Sequence, residues 1–95
     1  MAYFSVVYTY GPDIAVQDEN RPRHRAFLGS LAEAGQLVAS GPLLDTSPGR
    51  ALLVMQGTSA DEIRELLSQD PFQQLGQVAD VLIDEWNPVI GVFAK

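Results

Sequence analysis

Five consecutive residues, Ala51-Leu52-Leu53-Val54-Met55, carry no polar side chain. Successive side chains of a strand point to opposite faces, so such a run asks for apolar cover on both sides of its sheet. Ala51, Leu53 and Met55 form one set, Leu52 and Val54 the other. Tyr3 to Tyr10 repeats the property, with Phe4, Val6, Tyr8 and Tyr10 on one side and Tyr3 and Val7 on the other. The chain has 95 residues, enough for one domain and one modest core. Residues 1–95 are read as a single domain.

The remaining elements follow from punctuation. Gly11-Pro12-Asp13 ends the first strand, and Ile14 to Asn20 reads as a polar loop. Pro22 suits the first turn of a helix. That helix should run to about Ala34, with Gly35 as its left-handed stop. Its stripe is His24, Phe27, Leu28, Leu31 and Ala34. Leu37 to Leu43 and Ala51 to Gln56 read as strands, with a turn at Asp45 to Gly49. Ser59 and Glu62 have capping-box spacing ahead of Ile63, Leu66 and Leu67. Pro71 ends this second helix at Asp70. Val78 to Trp86 is the fourth strand, followed by an apolar tail, Val89 to Phe93.

The order is β-α-β-β-α-β, a ferredoxin-like α+β arrangement. Two helices cover only one face of its sheet. The second apolar face needs other cover, and a second copy of the chain is the simplest, packed sheet to sheet. The tail would then reach onto the partner's sheet. A higher oligomer stays open.

Composition removes whole classes of function. With no Cys and one His, disulfide frameworks, thiol nucleophiles, iron–sulfur clusters and multi-His metal sites are excluded. Twelve acidic residues against 6 basic ones give a net charge of -6, which disfavours nucleic acid. Three of the six cations crowd together as Arg21, Arg23 and Arg25. Such a run is ordinarily a solvated face, although it suffices to hold one anionic group. No apolar run is long enough to span a membrane. Met1-Ala2-Tyr3-Phe4 lacks signal-peptide features, so the expected location is the cytoplasm. No Gly-rich phosphate loop or dinucleotide fingerprint occurs, and no cofactor is expected.

Few side chains remain for chemistry. His24 alone titrates near neutrality in its unperturbed form. It lies on the apolar stripe, so it points inward or toward a cleft. One reading makes it a packed histidine satisfied by a carbonyl; the other makes it a base. Asp70 before Pro71 is a natural N-cap for a short helix stopped at Gly76, and spacing alone does not bring it to His24. The second helix ends on the opposite edge, so contact depends on how the chain folds back or on a partner. Ser40-Gly41-Pro42 is either a strand end with a bulge or a hydroxyl and backbone facing a cleft. Tyr8, Tyr10 and Trp86 suit core or dimer contacts, or a phenol on a pocket wall.

Three segments together, Arg21-Pro22-Arg23-His24-Arg25-Ala26-Phe27-Leu28, Ala39-Ser40-Gly41-Pro42-Leu43 and Asp70-Pro71-Phe72, followed by Gly76 and the last strand, span nearly the whole chain. In them the chain resembles the YciI-like (YCII-related) family of small bacterial proteins. The resemblance implies a dimeric α/β-barrel of ferredoxin-like units. It implies an active site with a His–Asp pair at His24 and Asp70; beside that pair, Ser40, Gly41, Pro42 and Tyr8, as read above, are the candidate substrate contacts. It also implies kinship in fold with muconolactone isomerase and cofactor-free monooxygenases, and for a few members with dehydrochlorinases. The segment Gly11 to Glu19 and the tail are expected to shape the pocket. A carboxylate-oriented imidazole would transfer protons, and Ser40 with nearby N–H groups would stabilise an enolate. The expectation is an isomerase or lyase acting on a small carbonyl or aromatic compound. A non-catalytic ligand-binding dimer, or an accessory subunit in which the pair is structural, remains open.

Overall fold

The computed structural model describes residues 1–94. The elements are β1 (Ala2–Tyr10), α1 (Ile14–Glu33), β2 (Leu37–Leu43), β3 (Arg50–Gly57), α2 (Ala60–Leu67), α3 (Pro71–Gln74) and β4 (Val78–Trp86). The strands form one antiparallel sheet in the order β2-β3-β1-β4. This is the ferredoxin-like α+β order, with the short α3 added.

Strand parity decides what the helices cover. Phe4, Val6 and Tyr8 of β1 and Ala51, Leu53 and Met55 of β3 are buried. Leu31 of α1 and Ile63 and Leu67 of α2 close the same core. Glycine ends two of the helices for a shared reason. Gly35 and Gly76 have φ of 82° and 69°, where other residues meet their own Cβ. At α1 the Gln36 N–H reaches Leu31 O at 2.9 Å and the Gly35 N–H reaches Ala32 O at 3.1 Å. At α3 the Gln77 N–H reaches Phe72 O at 2.8 Å and the Gly76 N–H reaches Gln73 O at 3.1 Å. Both pairs satisfy the last carbonyls of a helix.

The first helix starts earlier than its apolar stripe. Ile14 to Asn20 is helical, capped by Asp13, whose carboxylate accepts from Val16 N–H at 3.3 Å. The residue it buries is Gln17. The Gln17 amide donates to Gly11 O at 2.8 Å and to Gln77 Oε1 at 3.4 Å. Polar bonds, not an apolar face, dock these turns, so no hydrophobic period marks them. Pro22 lies inside the helix. Having no N–H, it cannot donate to the carbonyl of Asp18 one turn back, an exposed residue. At α2 only half of the capping box forms. Ser59 Oγ accepts from Glu62 N–H at 3.1 Å, while the Glu62 carboxylate takes the Thr58 hydroxyl.

The other face of the sheet carries Val7 opposite both Leu52 and Leu82, and Tyr3 opposite Trp86. Leu52, Leu82 and Trp86 are 37%, 55% and 38% exposed. The tail packs on its own sheet, with the Phe93 ring 5.9 Å from both Tyr3 and Trp86. Among the described residues, no helix is long and apolar enough to cross a membrane.

Candidate active site

The short helix α3 carries the site because it turns back against α1. Asp70 is its N-cap, and the Phe72 N–H donates to Asp70 Oδ1 at 3.0 Å. The same carboxylate, fully buried, meets the His24 Nδ1 at 2.8 Å from Oδ1 and 2.9 Å from Oδ2. The contact lies within one chain. Cap and histidine partner are thus one role of one side chain, not alternatives.

The Tyr8 hydroxyl donates to Asp70 Oδ2 at 3.1 Å, and the Gln73 amide donates to the Tyr8 oxygen at 3.2 Å. The Tyr8 hydroxyl and the Phe72 N–H both donate to this carboxylate. An ionised carboxylate can only accept, so such a carboxylate pairs with the ring tautomer that carries its proton on Nδ1 and leaves Nε2 as the acceptor. No described group bonds Nε2, and that nitrogen is not sealed from solvent. The Phe72 ring stacks on the imidazole at 4.0 Å and 2°, which fixes its plane.

The His24 ring lines a cleft of about 360 Å³. His24, Arg21, Arg25 and Leu28 of α1 form one wall; Ser40, Gly41 and Pro42 of β2 form another. Tyr10, Ala51, Leu53 and Phe72 complete it. β2 is an edge strand, which tolerates Pro42 without a lost ladder bond.

Ser40, Gly41 and Pro42 thus share a cleft with His24. Tyr8 does not: it is 0% exposed and lies behind Asp70, where it holds the carboxylate. Two residues further along β1, on the same side of the strand, Tyr10 reaches the cleft instead. Its ring is edge-on to Phe72 at 5.8 Å. Gly11 to Glu19 and the tail contribute nothing to the lining. Phe72 had no assigned role from sequence, and the arginine run, read as a solvated face or a hold for one anionic group, was not placed beside His24. The signal for the arginines was present: Arg21, His24, Arg25 and Leu28 have i, i+3, i+4, i+7 spacing, one helix face. The described residues hold no metal-ligating cluster of three.

Burial, above all, pushes the Tyr8 phenol far above its ordinary value; Gln73 opposes this and the Asp70 charge adds to it. Tyr10 is also raised, by burial first and Asp70 next, with Arg21 pulling back. Both stay O–H donors at neutral pH. Above pH ~10 a tyrosine ionises in the unfolded chain while Tyr8 keeps its proton in the fold. The fold then binds the extra proton, so stability is complete below that pH and falls as pH rises, by about 1 kcal/mol per unit. In urea titrations at pH 9 and pH 11, Tyr8→Phe is expected to be less stable at pH 9 but to lose less between the two. An equal loss in both proteins would contradict this placement of Tyr8.

Fold and cleft together define a small ferredoxin-like α+β protein with a buried His–Asp pair that opens on a cleft at the sheet edge. A sequence model of the YCII-related domain matches residues 1–87, and the chain belongs to that family. A protein of Emericella nidulans called derivative of benzaldehyde biosynthesis cluster protein C is 33% identical over 76 residues, 70% of this chain and 78% of that protein. Among solved structures, 5-chloro-2-hydroxyhydroquinone dehydrochlorinase of Burkholderia phenoliruptrix, in complex with 2,5-dihydroxybenzoquinone, has a TM-score of 0.77 at 24% identity, covering 90% of this chain and 93% of its own. A cofactor-independent oxygenase from Streptomyces nogalater has a TM-score of 0.51 at 17% identity, covering 97% and 96%. Both likenesses concern the fold.

Proposed function

We propose that the protein is a cofactor-free enzyme that moves a proton on a small cyclic carbonyl or aromatic compound. One observation carries the reading: His24, held by Asp70 through Nδ1 at 2.8 Å, lines the cleft. In the proposed step Nε2 takes a proton from an acidic C–H or O–H of the substrate. Asp70 stabilises the imidazolium, and the Ser40 hydroxyl stabilises the developing oxyanion. Return of the proton at another carbon gives an isomerase. Departure of a leaving group with its electron pair gives a lyase. The first probe is 5-chloro-2-hydroxyhydroquinone, read as chloride release with formation of the hydroxyquinone by net loss of HCl. The second is an unsaturated γ-lactone, read as double-bond migration and solvent deuterium uptake. Turnover of either supports the reading. Saturable binding in the cleft with neither chemistry would assign a ligand-binding module instead.

We also propose that the working form is a homodimer joined through the outer sheet face. The exposure of Leu52, Leu82 and Trp86 on one face of the sheet supports it. Obligate interfaces of this kind bury ~2,000 Å² or more. Leu52→Asp is expected to turn the dimer into a monomer, or to unfold it, at micromolar concentration in sedimentation equilibrium. A monomeric parent protein under those conditions would contradict the proposal.

A further inference from the structure

The cleft beside His24 differs in charge from the rest of the molecule. The chain carries 12 acidic residues against 6 basic, yet no Asp or Glu lines the cleft and two arginines do. The carboxylate of Asp70, bonded to His24, is 0% exposed and already accepts from the Tyr8 hydroxyl and the Phe72 N–H. Arg21 pairs with Asp18, which is 61% exposed and outside the cleft. The Arg21 guanidinium hangs 6.0 Å over the Phe72 ring and is close enough to Tyr10 to pull its pKa down. Arg25 has no ion pair or hydrogen bond among the described residues. Arg23, between them, turns away and bonds Asn20 at 3.2 Å. The flat walls, Phe72 and Tyr10, stand at right angles.

We propose that Arg25 and Arg21 form an anion subsite, so that the cleft takes a flat ring bearing one carboxylate or phenolate rather than a neutral ring. The inference rests on the reading of this cleft as the substrate site and adds the substrate's charge. A partly enclosed cleft that presents only cations focuses the field on an incoming anion. The guanidinium of Arg25 offers a fork of N–H donors matched to a carboxylate. The aromatic walls accept the ring. Placed there, the ring lies beside Nε2, and the same cations offset negative charge that develops when a proton leaves.

Benzoate and its neutral isostere benzamide test this in the intact protein, with binding read from NMR shifts of His24 and Phe72. Benzoate is expected to bind at least ~10-fold tighter than benzamide, and to weaken as salt rises from 20 to 200 mM. Arg25→Gln should weaken benzoate ~5–30-fold and leave benzamide unchanged. Arg23→Gln, outside the cleft, should alter neither. Equal affinity for both ligands, binding of neither, or identical behaviour of Arg25→Gln and Arg23→Gln overturns the subsite. Binding is read without turnover, so failure of the proton-transfer reading leaves this result standing. Conversely, loss of the subsite leaves the turnover assays with uncharged probes intact.

Discussion

His24→Gln is expected to lower turnover by about 10²–10⁴-fold while the protein stays folded. Gln keeps an N–H to offer Asp70 but has no basic nitrogen to present to the cleft. Asp70→Asn should lose a comparable amount by a different route. Asn still caps α3 through its amide oxygen. Its NH₂ then faces either the Tyr8 hydroxyl or His24 Nδ1. Against Nδ1 it needs an acceptor, which moves the ring proton to Nε2 and removes the base. Steady-state rates with any turned-over probe, compared at equal folded fraction, read both effects. Activity retained within ~3-fold in folded His24→Gln would remove His24 from the mechanism.

The second large effect is on stability, and it separates Asp70 from His24. Asp70→Ala strips one acceptor from three donors: the His24 Nδ1–H, the Tyr8 hydroxyl and the Phe72 N–H. A buried donor left unpaired costs about 1–3 kcal/mol, and a lost N-cap about 1 kcal/mol. With partial rescue by water the expected loss is about 3–5 kcal/mol, a large share of a small domain's stability. Asp70→Asn keeps the cap and one acceptor and should cost about 1–2 kcal/mol. Urea unfolding that ranks Asp70→Ala well below Asp70→Asn supports one carboxylate serving cap, core and site. Equal, small losses would contradict it.

Much of the frame was legible because it follows local rules. β-branched and aromatic runs mark the strands, and parity assigns Phe4, Val6 and Tyr8 to one face. Gly35 and Gly76 end helices where left-handed backbone is required. Asp70-Pro71 announces a cap by the same chemistry that forms it. The start of α1 was not legible, since Gln17 docks it through partners at Gly11 and Gln77 that only the fold assembles. Tyr8 shows a further limit. Parity gives the face of a strand but not the depth, and α3 covers Tyr8 while leaving Tyr10 on the cleft. The meeting of His24 with Asp70 spans 46 residues and depends on α3 turning back onto α1. Spacing does not contain that; the family resemblance suggested it.

The proposed chemistry requires that Asp70 fix His24 as the Nδ1–H tautomer and leave a basic Nε2 for the cleft. The chain has a single histidine, so its ring nitrogens can be observed without ambiguity. Long-range ¹H–¹⁵N correlation on uniformly labelled protein, at a pH where the ring is neutral, reads the tautomer directly. A pyrrole-type Nδ1, a pyridine-type Nε2, and a shift of Nε2 on adding benzoate are expected. A ring protonated on Nε2 with a bare Nδ1 would contradict it.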